Sequence, residues 1–89
     1  MAYQYRTQGG VCSRGITFDI QDGRVTDVHF DGGCNGNTQG VARLVEGMPV
    51  EEAIARLSGI RCGFKSTSCP DQLACALRQA AAQIAADND

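Results

Sequence analysis

Residues 15–30, GITFDIQDGRVTDVHF, carry the clearest secondary-structure signal in this chain. The dipeptide Asp22-Gly23 is a strong signal for a tight hairpin turn. Apolar residues alternate with polar ones on both sides of it, namely Ile16, Phe18 and Ile20 before the turn and Val28 and Phe30 after it. This period of two is typical of half-buried strands. Residues 3–7, YQYRT, alternate in the same way, so the sequence predicts a three-stranded antiparallel meander.

Helical patterns follow the strands. A glycine-rich loop over residues 31–40 precedes a first helix that should end near Gly47; a second runs from Pro49 to Gly59, and a third begins at Pro70. The predicted buried stripes are Val41, Leu44, Val45 and Met48, then Val50, Ile54 and Leu57, then Leu73, Leu77 and Ile84. We therefore predict one α+β domain over residues 1–89, frayed at 86–89, with about three helices packed on one face of the sheet.

Composition excludes several classes of function. The chain has 89 residues, a net charge of −2 and only five aromatic residues, so neither a nucleic-acid footprint nor a base-stacking platform is expected. No apolar run approaches the ~20 residues of a membrane span. The N-terminal residues resemble no secretory signal, which predicts a cytoplasmic location. No Ser-His-Asp set or pair of carboxylates suggests a hydrolase.

Five cysteines are many for so small a chain. In a reducing cytoplasm they favour metal binding or reactive thiols over a disulfide framework. Cys34 and Cys69 each directly precede a predicted helix, where the helix dipole favours a thiolate. Cys12 and Cys62 lie in glycine-flanked segments that could approach the helix ends. Four thiolates suit either zinc or an iron–sulfur cluster.

Other interpretations of single residues stay open at this point. The chain has no C-x-x-C pair, so a mixture of buried and unpaired cysteines remains an alternative. Cys75 falls about 120° around the last helix from Cys69 and is interpreted as a small flank residue. His29 is expected at a solvated strand position, and Asp71 in a capping role. Arg14 fits either a surface position or a role in stabilising a thiolate cluster.

Four motifs carry a family resemblance: GVCS at residues 10–13, GGCNGN at 32–37, LVEGM at 44–48 and TSCPDQLA at 67–74. With them the chain resembles the small TSCPD-domain proteins. A related domain occurs at the C-terminus of some adenosylcobalamin-dependent ribonucleotide reductases, and reductase labels on small members rest on that similarity. The resemblance implies that the family's four cysteines are Cys12, Cys34, Cys62 and Cys69, with Cys75 outside the set.

The chain also shows a more distant resemblance to the IscU and NifU N-terminal iron–sulfur scaffolds. Three cysteines fall in the same order and settings as in those scaffolds: Cys12, Cys34 and Cys69. The resemblance implies an α+β fold of the same kind. Arg14 and Ser68 stand where the scaffolds have an aspartate and a histidine, and Cys62 is additional. A fourth thiolate implies a more closed site that retains its metal.

Three hypotheses follow from the sequence. The first is a non-catalytic domain that holds zinc or an iron–sulfur cluster, with a protein partner in iron–sulfur assembly or ribonucleotide reduction, or a larger redox enzyme that it contacts. The second is a thiol-redox or ribonucleotide-reductase accessory protein that uses Cys62 and Cys69. The third is a plain interaction domain with buried cysteines. Nothing in the sequence sets an oligomeric state.

Overall fold

The structure, a computed structural model, describes residues 3–9, 11, 13–32, 35–61 and 67–87, without the side chains of Asn35 and Asp87. Three strands come first and three helices follow, in the order β1 (Tyr3–Arg6), β2 (Ser13–Gln21), β3 (Arg24–Gly32), α1 (Asn35–Val45), α2 (Val50–Leu57) and α3 (Cys69–Asp87). The strands form one antiparallel sheet in the order β1-β2-β3. The predicted α+β class and the meander are confirmed.

The hairpin between β2 and β3 forms at the predicted dipeptide. Asp22 and Gly23 have φ angles of 53° and 74°, and a two-residue type I′ turn requires positive values at both positions. Gln21 pairs with Arg24 directly beside the turn. The local sequence therefore sets the register of the longest strand pair.

A β-bulge at Asp27 alters the alternation that the sequence suggests for β3. Asp27 has a φ of 55°, and β3 carries one residue more than β2 between two successive register pairs. A bulge shifts the side-chain alternation by one position, so Val25 and Val28 are both buried although they are three residues apart. The backbone N–H of Asp27 donates to Oε1 of Glu46 at 3.0 Å, which ties the bulge to the segment after α1.

The core lies between the sheet and the helices. Its largest fully buried apolar side chains come from β2, β3 and α3, namely Ile16, Phe18, Val25, Leu73 and Leu77.

The predicted stripe of α3 is confirmed for its two leucines, while Ile84 is half-buried. In α2, Val50 and Leu57 are buried as predicted, and Ala53 completes the inner face.

One predicted core residue of α1 is wrong. Leu44 is 77% exposed, whereas its neighbour Val45 is 2% exposed. Neighbouring helical positions differ by about 100° around the axis. Since Thr38 and Val45 occupy the inner face of α1, Leu44 turns towards solvent.

The connection between α1 and α2 pairs with the start of β3. The backbone of Val25 donates to the carbonyl of Met48 at 2.9 Å and accepts from the N–H of Gly47 at 2.7 Å. Pro49 forms an isolated bridge with Arg24 and directly precedes α2. The first part of the β3 edge is therefore covered. None of the described helices is long and apolar enough to cross a membrane.

Candidate metal centre

The structure describes two of the five cysteines, Cys69 and Cys75. The other three predicted ligands, Cys12, Cys34 and Cys62, lie outside the described residues. Within the part of the chain that is described, no three His, Cys, Asp or Glu side chains are grouped so as to hold a metal ion. The geometry of the candidate centre therefore comes from Cys69 and from the residues that flank the other three.

Cys69 is the first residue of α3. The hydroxyl of Ser68 accepts a hydrogen bond from the N–H of Asp71 at 3.2 Å, and the carbonyl of Ser68 accepts the N–H of Gln72 at 2.8 Å. These two bonds identify Ser68 as the N-cap. Pro70 follows in the first turn, where backbone N–H groups have no acceptor within the helix. The missing N–H of proline therefore costs no helical hydrogen bond. The prediction that Cys69 lies beside the N-cap is confirmed.

The sulfur of Cys69 lies against a buried hydroxyl from β2. Cys69 is 8% exposed and Ser13 is 2% exposed, and Sγ of Cys69 lies 3.1 Å from Oγ of Ser13. Either atom can donate in this hydrogen bond. If the sulfur is a thiolate, the hydroxyl donates to it, which is the arrangement that orients a metal-ligating group.

Ser13 also relates Cys69 to the segments that carry two other predicted ligands. Its register partner on β3 is Gly32, and such partners have Cα atoms about 4.5–5.5 Å apart. Cys12 precedes Ser13 by one residue, and Cys34 follows Gly32 by two. Both segments therefore adjoin the Ser13–Gly32 pair, in which Ser13 contacts the sulfur of Cys69.

Asp71 and Ser68 hold the end of α2 against the start of α3. The Asp71 carboxylate accepts the N–H of Gly59 at 2.7 Å and the hydroxyl of Thr67 at 2.5 Å. Hydrogen bonds from Thr67 and then Gly59 lower the pKa of Asp71 below its ordinary value of 3.8. The hydroxyl of Ser68 donates to the carbonyl of Ile60 at 2.6 Å. These hydrogen bonds thus join the residues on either side of the segment 62–66, in which Cys62 lies outside the described residues.

Gln72 binds the loop between β1 and β2 to the start of α3. Its carboxamide is buried, and Oε1 accepts the N–H of Gln8 at 2.8 Å while Nε2 donates to Oγ1 of Thr67 at 3.1 Å. Gly9 has a φ of 78°, and a β-carbon there would collide with the methyl group of Thr67. The loop that continues towards Cys12 is therefore packed directly on the residues that begin α3.

Residues 67–72, TSCPDQ, share the role of binding neighbouring segments of the chain through hydrogen bonds. We call the hydrogen bonds of Thr67, Ser68, Asp71 and Gln72 the 67–72 clasp. Its partners are the end of α2 and the loop after β1. The clasp fixes chain segments adjacent to Cys12 and Cys62, while Ser13 and its strand pairing add the segment that leads to Cys34.

The remaining singled-out residues lie elsewhere. Cys75 is half-buried on α3, and its Sγ lies 4.0 Å from Nη1 of Arg78. It lies six positions after Cys69, which is about 9 Å along a helix. His29 is exposed on β3, as expected for a solvated strand position. Arg14 is exposed on β2.

Sequence reasoning assigned Asp71 to a capping role but missed its partners in other elements. The S-x-x-D spacing of Ser68 and Asp71 is a helix-start signal and could have located the N-cap. Nothing near Ser13 or Gln72 in the sequence signals their contacts with Cys69 and Gln8. Those contacts depend on residues more than 50 positions apart.

Comparison with known proteins identifies the family. The sequence profile described as the TSCPD domain matches residues 1–81. Because the match covers most of the chain, the chain belongs to the TSCPD-domain family. No curated protein and no solved structure matches the chain significantly.

Proposed function

We propose that this TSCPD-domain protein is a non-catalytic metal-binding domain of the cytoplasm. Four thiolates, from Cys12, Cys34, Cys62 and Cys69, hold one zinc ion or a small iron–sulfur cluster. The domain serves metal or iron–sulfur handling, or contacts a larger redox enzyme as a module. A reducing compartment suits this role because it keeps thiols free.

The observation that carries the proposal is the setting of Cys69. Its buried sulfur lies at the start of α3 and shares a hydrogen bond with Ser13, the residue after Cys12. The neighbouring Ser68 bonds to Ile60, two residues before Cys62. Thiolates are the ligands that zinc and iron–sulfur iron both accept. A hydroxyl beside a ligating sulfur is the kind of outer contact that orients such ligands.

The size of the core supports a structural role for the metal. Five of the buried core residues are alanine or cysteine: Cys69, Ala53, Ala74, Ala76 and Ala80. Such small side chains bury little apolar surface, and a chain of 89 residues has a low ratio of core to surface. Metal binding that is coupled to folding would add the missing stability.

Metal and sulfide analysis of anaerobically purified protein tests the proposal. We expect about one zinc per chain, or iron with inorganic sulfide and visible absorbance. A protein that contains neither metal nor sulfide and still gives a dispersed amide spectrum contradicts it. Removing zinc with a chelator should lower the melting temperature if the ion stabilises the fold.

One observation favours a second function. The hydrogen bond between Ser68 and Ile60 closes the base of the segment that contains Cys62, immediately beside Cys69. As a dithiol, Cys62 and Cys69 would reduce a disulfide of a partner enzyme, passing two electrons and two protons to its sulfurs while forming their own disulfide. Mass spectrometry should then show a reversible loss of two hydrogens confined to this pair, in a protein that does not respond to chelators.

A further inference from the structure

Two arginines stand beside each other at one end of the sheet. Arg6 is the last residue of β1 and Arg14 is the second residue of β2, and both are exposed. The N–H of Thr7 donates to the carbonyl of Arg14 at 3.2 Å, which joins the two strands at this point. Among the described residues, neither guanidinium forms an ion pair or a side-chain hydrogen bond.

A β-bulge and a glycine shape the surface between these arginines. The register shifts between Ser13 and Gly15, so that Arg14 is the extra residue of β2 and its side chain is redirected. Gly15 pairs with Arg6 on one side and with Asp31 on the other. Because Gly15 has no side chain, it leaves space between the side chains of Arg6 and Asp31. A concavity of about 570 Å³ lies at this position.

A second concavity continues the first. It has a volume of about 370 Å³, and it shares Arg6 and Arg14 with the first. Its other walls include Val11 and Ser13, the two residues that flank Cys12 in the sequence. The two arginines therefore stand at the junction of an open groove that runs from the sheet face towards the candidate centre.

The positive charges of Arg6 and Arg14 favour a negatively charged ligand in this groove. Two unpaired guanidiniums on adjacent strands repel each other, whereas each can bind a carboxylate through two parallel hydrogen bonds. Among the described residues, Asp31 is the one carboxylate that lines the groove, and it lies on β3 at the far side of Gly15. Arg6 and Arg14 therefore give the groove a positive end at which an anion can bind.

We propose that this groove, the Arg6–Arg14 groove, docks a carboxylate-rich segment of a partner protein. The two adjoining concavities leave room for an extended chain segment, whose carboxylates pair with the two guanidiniums. A partner held there lies against Val11 and Ser13, next to the segment that carries Cys12. The proposal depends on the sheet and its arginines and does not require a metal, so it can fail or succeed separately from the proposed function.

An amide-shift titration of the isotope-labelled full chain tests this proposal. The probe is a short poly-glutamate peptide, and a poly-glutamine peptide of equal length is the control. We expect shifts at residues 4–6, 14–17 and 31 with poly-glutamate alone, and weaker binding at higher salt. Arg6→Gln with Arg14→Gln should weaken binding about tenfold or more, while Arg43→Gln, an exposed arginine of α1, should change it less than about twofold.

Arg6→Lys with Arg14→Lys keeps both charges but loses the paired N–H donors of the guanidiniums. Its affinity for poly-glutamate should therefore lie between those of the wild type and the Gln variants. This Lys variant also keeps the test valid if the Gln variants fold poorly. Three results overturn the proposal: shifts centred on another surface, an equal loss in the Arg43 variant, or inorganic phosphate that binds as tightly as the peptide at the same residues. The last result would identify a small-anion site only.

Discussion

Oγ of Ser13 and Sγ of Cys69 lie 3.1 Å apart although 56 positions separate the two residues in the chain. Both side chains are buried, so the contact is shielded from water. It joins the first turn of α3 to the first residue of β2, and it involves Cys69, one of the four proposed metal ligands.

Replacing Ser13 by Ala should lower the free energy of unfolding by about 1 kcal/mol, because a buried hydrogen bond is lost. Urea unfolding measures the change. Thr26→Val is the matched control, since the buried Oγ1 of Thr26 has no hydrogen-bond partner in the described part of the chain. That variant should leave stability unchanged or raise it. Equal losses in both variants would contradict a special role for the Ser13 hydroxyl.

Gly9→Ala should destabilise the fold more than Gly23→Ala. Both glycines have positive φ, at 78° and 74°, so both substitutions carry the roughly 1–2 kcal/mol cost of a left-handed residue. Only at Gly9 would the new β-carbon also collide, with the methyl group of Thr67, whereas Gly23 has open space. Thermal unfolding compares the two variants. Adding Thr67→Ser, which removes that methyl group, should recover part of the difference, and no recovery would argue against the clash.

Asp71 should make stability depend on pH in the acid range. Its pKa is lowered in the folded protein, chiefly by the Thr67 hydroxyl and next by the Gly59 N–H. A carboxyl whose pKa is lower in the folded state stabilises the fold at pH values above its pKa in the unfolded chain, about 3.9. This stabilisation is lost as the pH falls through the pKa of the folded state. Asp71→Asn should therefore cost up to about 1 kcal/mol at neutral pH, since solvent weakens these partly exposed bonds, and flatten the acid limb of the stability curve.

Asp19→Asn serves as the comparison for this pH test. The pKa of Asp19 is also lowered, first by the N–H of Ile20, which is its neighbour in the chain. A bond this local can persist after unfolding, so the Asn variant should alter the acid limb less than Asp71→Asn. Chemical denaturation between neutral and acidic pH provides both curves. A larger effect at Asp19 would count against the 67–72 clasp as an acid-sensitive element.

Cys69→Ser and Cys75→Ser should separate a metal ligand from a flank residue. If the proposed site exists, Cys69→Ser weakens metal binding by more than the ~10–100-fold that changes in outer contacts cost. Cys75→Ser should retain the metal, because Cys75 is half-buried about 9 Å further along α3. Competition with a chromogenic chelator measures both affinities. Equal retention in the two variants would exclude Cys69 as a ligand.

Much of the secondary structure could be predicted because it depends on neighbours in the chain. The turn at Asp22 and Gly23 needs only residues that tolerate positive φ, and Pro49 before α2 needs only a fixed φ at a helix start. Leu44 was misassigned because neighbouring apolar positions on one helix compete for the inner face. Packing against β3 decided in favour of Val45.

The class of fold, the family and the candidate ligands follow from the amino-acid sequence, because turns and helix starts are governed by backbone preferences over two to four residues. The contacts of Cys69 with Ser13 and of Asp71 with Gly59 depend instead on how elements far apart in the chain pack. The long-range contacts of the 67–72 clasp, with Gln8, Gly59 and Ile60, exist only after α2, α3 and the loop after β1 have packed together.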